Sequence, residues 1–190
     1  MRKISFFLLA LALATPGVAQ EEPARGPYRA YEPASRAFRC DIPSKGWHPM
    51  EEETAQGYCV HILGPEDPTG SYRTGIDVHL FEPGQPGFIP VKKALDLMRR
   101  EDKASERSAT SIRLLRNNGV LSRLFEVTET RRLPAESLPS ASTVLHHYVA
   151  VIQSGESYFV LRLSSTREVY LDYREEFLRF LKNFRPLGYK

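Results

Sequence analysis

From residue 38 onward, apolar and polar positions alternate in short runs. Phe38, Cys40 and Ile42 fall on one parity and Arg39 and Asp41 on the other, the period of two that sends successive side chains to opposite faces of a strand. Pro43 ends the run, and Pro-Ser-Lys-Gly over 43–46 reads as a turn. A second short strand is predicted over 58–63. A third is predicted over 74–81, with Ile76, Val78 and Leu80 on one face and Asp77 and His79 on the other. Gly and Pro fill the connections, including the loop 82–90. Over 91–103 the period changes, because Val91, Ala94, Leu95 and Met98 recur at helical spacing among Lys, Arg and Asp, which predicts the first helix.

Strands return at 112–116 and 120–132, joined by Asn117-Asn118-Gly119, a hairpin turn whose residues tolerate positive φ. A second hairpin joins 143–152 to 157–165 through residues 153–156. In its first strand both parities are apolar, with Val144, Tyr148 and Ile152 on one side and Leu145, Val149 and Val151 on the other. A strand apolar on both faces must be covered on both, so 143–152 is expected at the centre of a sheet and 38–42 nearer an edge. One cover is a helix over 167–183 carrying the aromatic stripe Tyr170, Tyr173, Phe177, Phe180, Leu181 and Phe184; the helix over 91–103 is the other. The pattern predicts an α+β fold: an antiparallel sheet of about seven strands flanked by a helix on each face.

Three stretches of this pattern carry a resemblance. Ile42-Pro43-Ser44-Lys45-Gly46-Trp47, the strand Tyr158-Phe159-Val160-Leu161, and the closing Tyr170, Tyr173, Phe177 and Phe180-Leu181-Lys182-Asn183-Phe184 resemble the PsbP-like family. In that family an extended segment ending in Pro-x-Gly-Trp opens the sheet and an aromatic amphipathic helix closes the domain. The resemblance spans residues 38–187. It implies a PsbP-like sandwich that is non-catalytic and docks on larger assemblies or helps to retain ions and cofactors. It carries over no ligand-binding residue, because the matching positions are structural. The cysteine pair and the insert over 133–142 depart from it.

The chain opens with Arg2 and Lys3, an apolar run over 4–13, and small residues ending in Gly17-Val18-Ala19. This reads as a secretory leader cleaved after Ala19, with a periplasmic or secreted destination. The run is shorter than the roughly 20 residues that a membrane-crossing helix needs, so no transmembrane segment is expected. Residues 20–35 carry three prolines and no apolar period and read as a disordered tether, with Tyr28 and Tyr31 as scattered aromatics. Residues 36–188 then form a single domain.

The formal net charge of +3 falls to about +1 once the leader's two basic residues are removed. That is too small an excess for nucleic acid, whose binders neutralise many phosphates. Acidic residues outnumber basic ones over 20–91, and the balance reverses over 92–132. Lys92, Lys93, Arg99, Arg100, Arg131 and Arg132 are the candidates for a basic binding face.

In an oxidising compartment the two cysteines, Cys40 and Cys59, are expected to form a disulfide. Three groups on the second and third strands, His61, Asp77 and His79, are the candidate metal ligands, provided the strands pair in register. His146 and His147 are adjacent in a strand and face opposite ways, so they cannot share one ion. Gly155-Glu156-Ser157 begins like a nucleophile elbow but sits in a hairpin turn and lacks the second Gly. With no phosphate loop, His-Glu-x-x-His or Cys-x-x-Cys motif, the chain offers no catalytic residue and calls for no cofactor. The expectation is an exported, non-catalytic accessory protein of the cell envelope that docks on another envelope protein. The alternative is a periplasmic binding protein for a small ligand or divalent metal, its site between the sheet and the loops around 65–72 and 83–90.

Overall fold

The structure, a computed structural model, describes residues 27–54, 57–117, 119–133 and 139–187; the expected leader, the first part of the tether and residue 188 lie outside the described residues. Thirteen elements follow in chain order: β1 (Tyr28–Tyr31), β2 (Phe38–Pro43), β3 (His48–Thr54), β4 (Gly57–Glu66), β5 (Arg73–Phe81), α1 (Val91–Met98), β6 (Ser108–Ala109), β7 (Arg113–Asn117), β8 (Val120–Leu133), β9 (Ala141–Ser154), β10 (Ser157–Thr166), α2 (Tyr170–Asn183) and β11 (Arg185–Pro186). Eight strands build one antiparallel sheet in the order β3-β4-β5-β10-β9-β8-β6, with β7 also paired to β8. The fold is α+β, as expected, and β9 lies inside the sheet.

Each face has its own core. On one, Val60, Ile62, Ile76, Val78, Ala150, Ile152, Phe159 and Leu161 pack under Phe177, Phe180, Leu181 and Phe184 of the α2 segment. On the other, Phe125, Val127, Val149, Val151, Tyr158 and Val160 pack under Ala94 and Leu95 of α1. The two apolar parities of β9 thus serve two cores, which is why that strand reads as apolar on both sides.

Three expectations are corrected. The strand at 38–42 is not an edge of the large sheet: β2 is the middle of a separate three-stranded sheet, β1-β2-β11, stacked on the α2 face. Part of the expected tether is ordered, since residues 28–31 form β1. Its pairing with β2 is reinforced where the Tyr28 hydroxyl meets the Glu176 carboxylate and the Arg179 guanidinium lies 3.6 Å from the Tyr28 ring centroid. Finally, α1 stops at Met98 instead of running to 103, because Arg107 Nη2 donates to the Met98 carbonyl at 2.7 Å and the Asp102 and Arg107 backbones bridge to each other.

The strand β3 is an addition. Its acidic run reads as a loop, yet it is the sheet's edge, where charges discourage further strand pairing. Glu51 there accepts the Tyr31 and Tyr58 hydroxyls at 2.8 and 2.6 Å and the Ala34 amide at 3.1 Å, tying the small sheet to the large one. Trp47, the residue before β3, is buried with its ring 6.0 Å from that of Tyr173.

Candidate functional site

The face covered by α1 is only partly apolar, because α1 is too short to span it. Beyond the helix, strand register lines up a row of polar side chains. β4 against β5 sets Cys59 opposite His79 and His61 opposite Asp77. β5 against β10 sets Asp77 opposite Arg162, and β10 against β9 sets Ser164 opposite His147. Glu129 stands on the same face of β8, two residues past Val127, the partner of His147.

Hydrogen bonds knit the row. Arg162 donates Nε and Nη2 to Asp77 Oδ2 at 3.3 and 2.8 Å, while His61 Nδ1 lies 2.8 Å from Asp77 Oδ1. His147 Nδ1 is 2.7 Å from the Ser164 hydroxyl. Arg107 Nη1 donates to Glu129 Oε2 at 2.6 Å, and Arg131 Nη2 approaches Glu129 Oε1 at 2.5 Å. His147 Nε2 lies 3.3 Å from the same Oε1, and His147 is only 5% exposed.

Between this row and α1 lies a cavity of about 290 Å³. Ile89, Ala94, Leu97, Val127, Val149 and Val160 supply apolar walls, and Gly87 comes from the loop after β5. His79, His147, Arg107 and Arg162 supply the polar groups. Concave, mostly apolar, with a few convergent polar groups, it has the form of a small-molecule site. Its loop contribution comes from 83–90, and residues 65–72 contribute nothing to its lining.

The electrostatics keep the row's pairs in defined states. His147, with Arg131 and Arg107, draws the Glu129 carboxyl down to about 2 against the upward push of burial. Burial also pushes the Asp77 carboxyl up, but Arg162 and His61 more than offset it and the net shift is down. Burial lowers His147 and His79, outweighing the carboxylates near them, so both imidazoles stay neutral at pH 7.

The disulfide expected between Cys40 and Cys59 is not formed: both thiols are free and buried. The reason is which way the strands face. Cys40 points from β2 into the α2-side core, whereas Cys59 alternates with Val60 and Ile62 and so faces the other side of the large sheet. There its Sγ lies 3.4 Å from His79 Nε2 and 4.0 Å from His61 Nδ1. Burial, followed by Asp77 and Glu52, pushes this thiol up to about 12.

Register brings His61, Asp77 and His79 together, but among the described residues no group of three such side chains is placed to hold a metal ion. Asp77 has both oxygens engaged, and the His61 and His79 rings meet edge to face at 6.2 Å. The six basic candidates do not make one face. Lys92 and Lys93 are exposed on α1, and Arg99 Nε donates to the Thr110 carbonyl at 3.2 Å. Arg131 faces the α1 side and is held by Glu129, whereas Arg132, one residue on, points to the opposite face.

Arg107, Glu129, His147 and Arg162 were not among the sequence candidates. The signal that marks one of them is a lone charge inside an apolar strand: Arg162 breaks Tyr158–Leu163, whereas Glu129 sits among Thr128, Thr130, Arg131 and Arg132 and carries no such signal. Such groups are rarely buried without partners.

No protein-family model and no curated sequence matches the chain. Solved structures share its fold. The Ran-binding protein Mog1p of Saccharomyces cerevisiae aligns at 12% identity and TM-score 0.51, over 85% of this chain and 96% of that one. A Bacteroides thetaiotaomicron protein aligns at 10% identity and TM-score 0.51 over 85% of this chain and 48% of its own, so this chain spans about half that protein's length. The cyanobacterial PsbP of Synechocystis aligns over 91% of this chain and 97% of its own at 11% identity, with a TM-score of 0.48. At these identities the likeness to Mog1p shows a common fold and assigns no family. Among the described residues, no helix is long and apolar enough to cross a membrane.

Proposed function

We propose that this chain is a non-catalytic binding protein of the cell envelope that holds a small molecule in the cavity beneath α1. The observation that carries the reading is the cavity itself, about 290 Å³ of apolar-walled space with polar groups converging on one part of its lining. The residues around it argue against turnover. Cys59 and His79 have the spacing of a nucleophile and its base, but the thiol is pushed up to about 12 and the imidazole is lowered, so both sit neutral and the thiolate needed for attack is not populated. The ionic groups are matched to one another in ways that orient and hold. Export rests on the leader residues 1–19 and is tested by following the fate of that segment in cells.

Docking on another envelope protein, the companion reading, draws support from the Ran-binding neighbour Mog1p and would use a different surface: Leu114 is 68% exposed on β7, at the margin of the large sheet. The two readings separate in one experiment. Small apolar molecules should raise the melting temperature of the wild-type domain, since a ligand that binds only the folded state stabilises it. They should not do so in Val160→Phe, which fills the cavity. If no such compound shifts either protein, the small-molecule reading fails; if Leu114→Lys alone abolishes capture of an envelope partner, the docking surface is the functional one.

A further inference from the structure

The ligand's chemistry can be taken further, resting on the small-molecule reading just proposed. We infer that the cavity takes an apolar monocarboxylate of about ten non-hydrogen atoms, a medium-chain or aryl-alkyl acid, with its carboxylate at the His147, Arg107 and Arg162 side. At the volume a water molecule occupies in the liquid, 290 Å³ corresponds to about ten non-hydrogen atoms. The walls are aliphatic along α1 and the β8 to β10 strands, with the Phe81 and Tyr158 rings stacked at 5.0 Å, and they suit a tail with no polar atoms.

The polar side is specific about charge. Arg107 and Arg162 line the cavity, and among the described residues no carboxylate does; Glu129 and Asp77, each paired with one of these guanidiniums, stand behind the lining. A carboxylate head meets two guanidiniums there, whereas an ammonium head is repelled by both. Donors are also available. Arg162 gives Nε and Nη2 to Asp77, leaving the two N–H groups of Nη1. His147, 5% exposed, lines the cavity, its Nδ1 2.7 Å from the Ser164 hydroxyl and its Nε2 3.3 Å from Glu129 Oε1.

Calorimetric titration with three eight-carbon probes, octanoate, octanol and octylamine, tests this on the full chain. Octanoate should bind at least about tenfold more tightly than octanol, the margin of one charge-assisted hydrogen bond pair, and octylamine should be weakest. Arg162→Gln should bring octanoate to the level of octanol without changing octanol. Val160→Phe should abolish both. Should Val160→Phe not fold, amide NMR shifts of the wild type on adding octanoate serve instead, and they should centre on Gly87, Ala94, Val149 and His147. Octanol binding as tightly as octanoate, or octanoate binding unchanged in Arg162→Gln, overturns the carboxylate inference while leaving the cavity reading intact. Failure of all three probes, or shifts that map away from α1, overturns both.

Discussion

Glu129 is the most heavily engaged acid in the polar row, and replacing it with Gln should show how much the row contributes to the fold. Its side chain is 5% exposed, with Arg107 and Arg131 at 2.6 and 2.5 Å and His147 at 3.3 Å. Gln preserves the volume and an oxygen for Arg107 but removes the charge. The carboxyl is drawn from 4.5 to about 2, which at roughly 1.4 kcal/mol per pKa unit corresponds to about 3 kcal/mol of stability. This agrees with the roughly 3–5 kcal/mol lost when one partner of a buried ion pair is removed. The folded-state pKa is depressed, so this stability is fully present above about 4.5 and is lost as pH falls through about 2. Glu129→Gln should therefore lower the unfolding free energy by about 3 kcal/mol at pH 7, a drop in melting temperature of roughly 10 °C for a domain of this size. Because burial also holds His147 below its ordinary 6.5, charging it costs both proteins stability beneath that pH, and more in the variant that lacks the acid. The gap should widen toward pH 4.5 and then narrow. Urea unfolding followed by circular dichroism at pH 7, 4.5 and 3 measures it. A loss under about 1 kcal/mol at pH 7, or a gap that does not narrow between pH 4.5 and 3, would refute the assignment.

Other substitutions test the frame that presents the site. Phe177→Ala removes a fully buried ring from beneath α2 and should cost about 3–5 kcal/mol in chemical denaturation. A Cβ at Gly64 would meet the Thr74 carbonyl and the Trp47 ring at 3.0 Å, so Gly64→Ala should cost about 1–3 kcal/mol and shift the fluorescence of the chain's only Trp to the red as that ring is displaced. Since Cys40 and Cys59 are free, a reductant should leave the melting temperature unchanged, and both thiols should alkylate once the chain is denatured without reduction; a reduction-sensitive melt would restore the disulfide.

What the sequence revealed follows the hydrophobic pattern. The two hairpins 112–132 and 143–165 and the aromatic helix are long, strongly periodic segments whose burial is set locally by their own spacing, and they stand where the pattern puts them. The elements it missed are short or polar. β1 and β3 are read as tether and loop because Arg29, Glu51, Glu52 and Glu53 give them no apolar face; what makes them strands is backbone pairing to β2 and β4 and, in Glu51, tyrosine hydroxyls from elsewhere in the chain. The overrun of α1 has a similar cause, since nothing near Met98 announces that Arg107 will take its carbonyl. The site was half legible. Spacing put Asp77 and His79 on one face, and register brought His61 beside Asp77, but Arg162 lies 85 residues from Asp77 in sequence and only the β5–β10 pairing joins them. Cys59 was drawn to a disulfide by compartment logic, whereas strand parity turns it toward His79 and away from Cys40.

Native mass spectrometry of the full chain, recovered without detergent or organic extraction and then mixed with octanoate, tests the central claim most directly. The account predicts one octanoate per chain in the wild type and none in folded Val160→Phe. A wild-type chain that stays bare at millimolar octanoate and octanol, or a filled variant that binds them equally well, would contradict a binding site beneath α1.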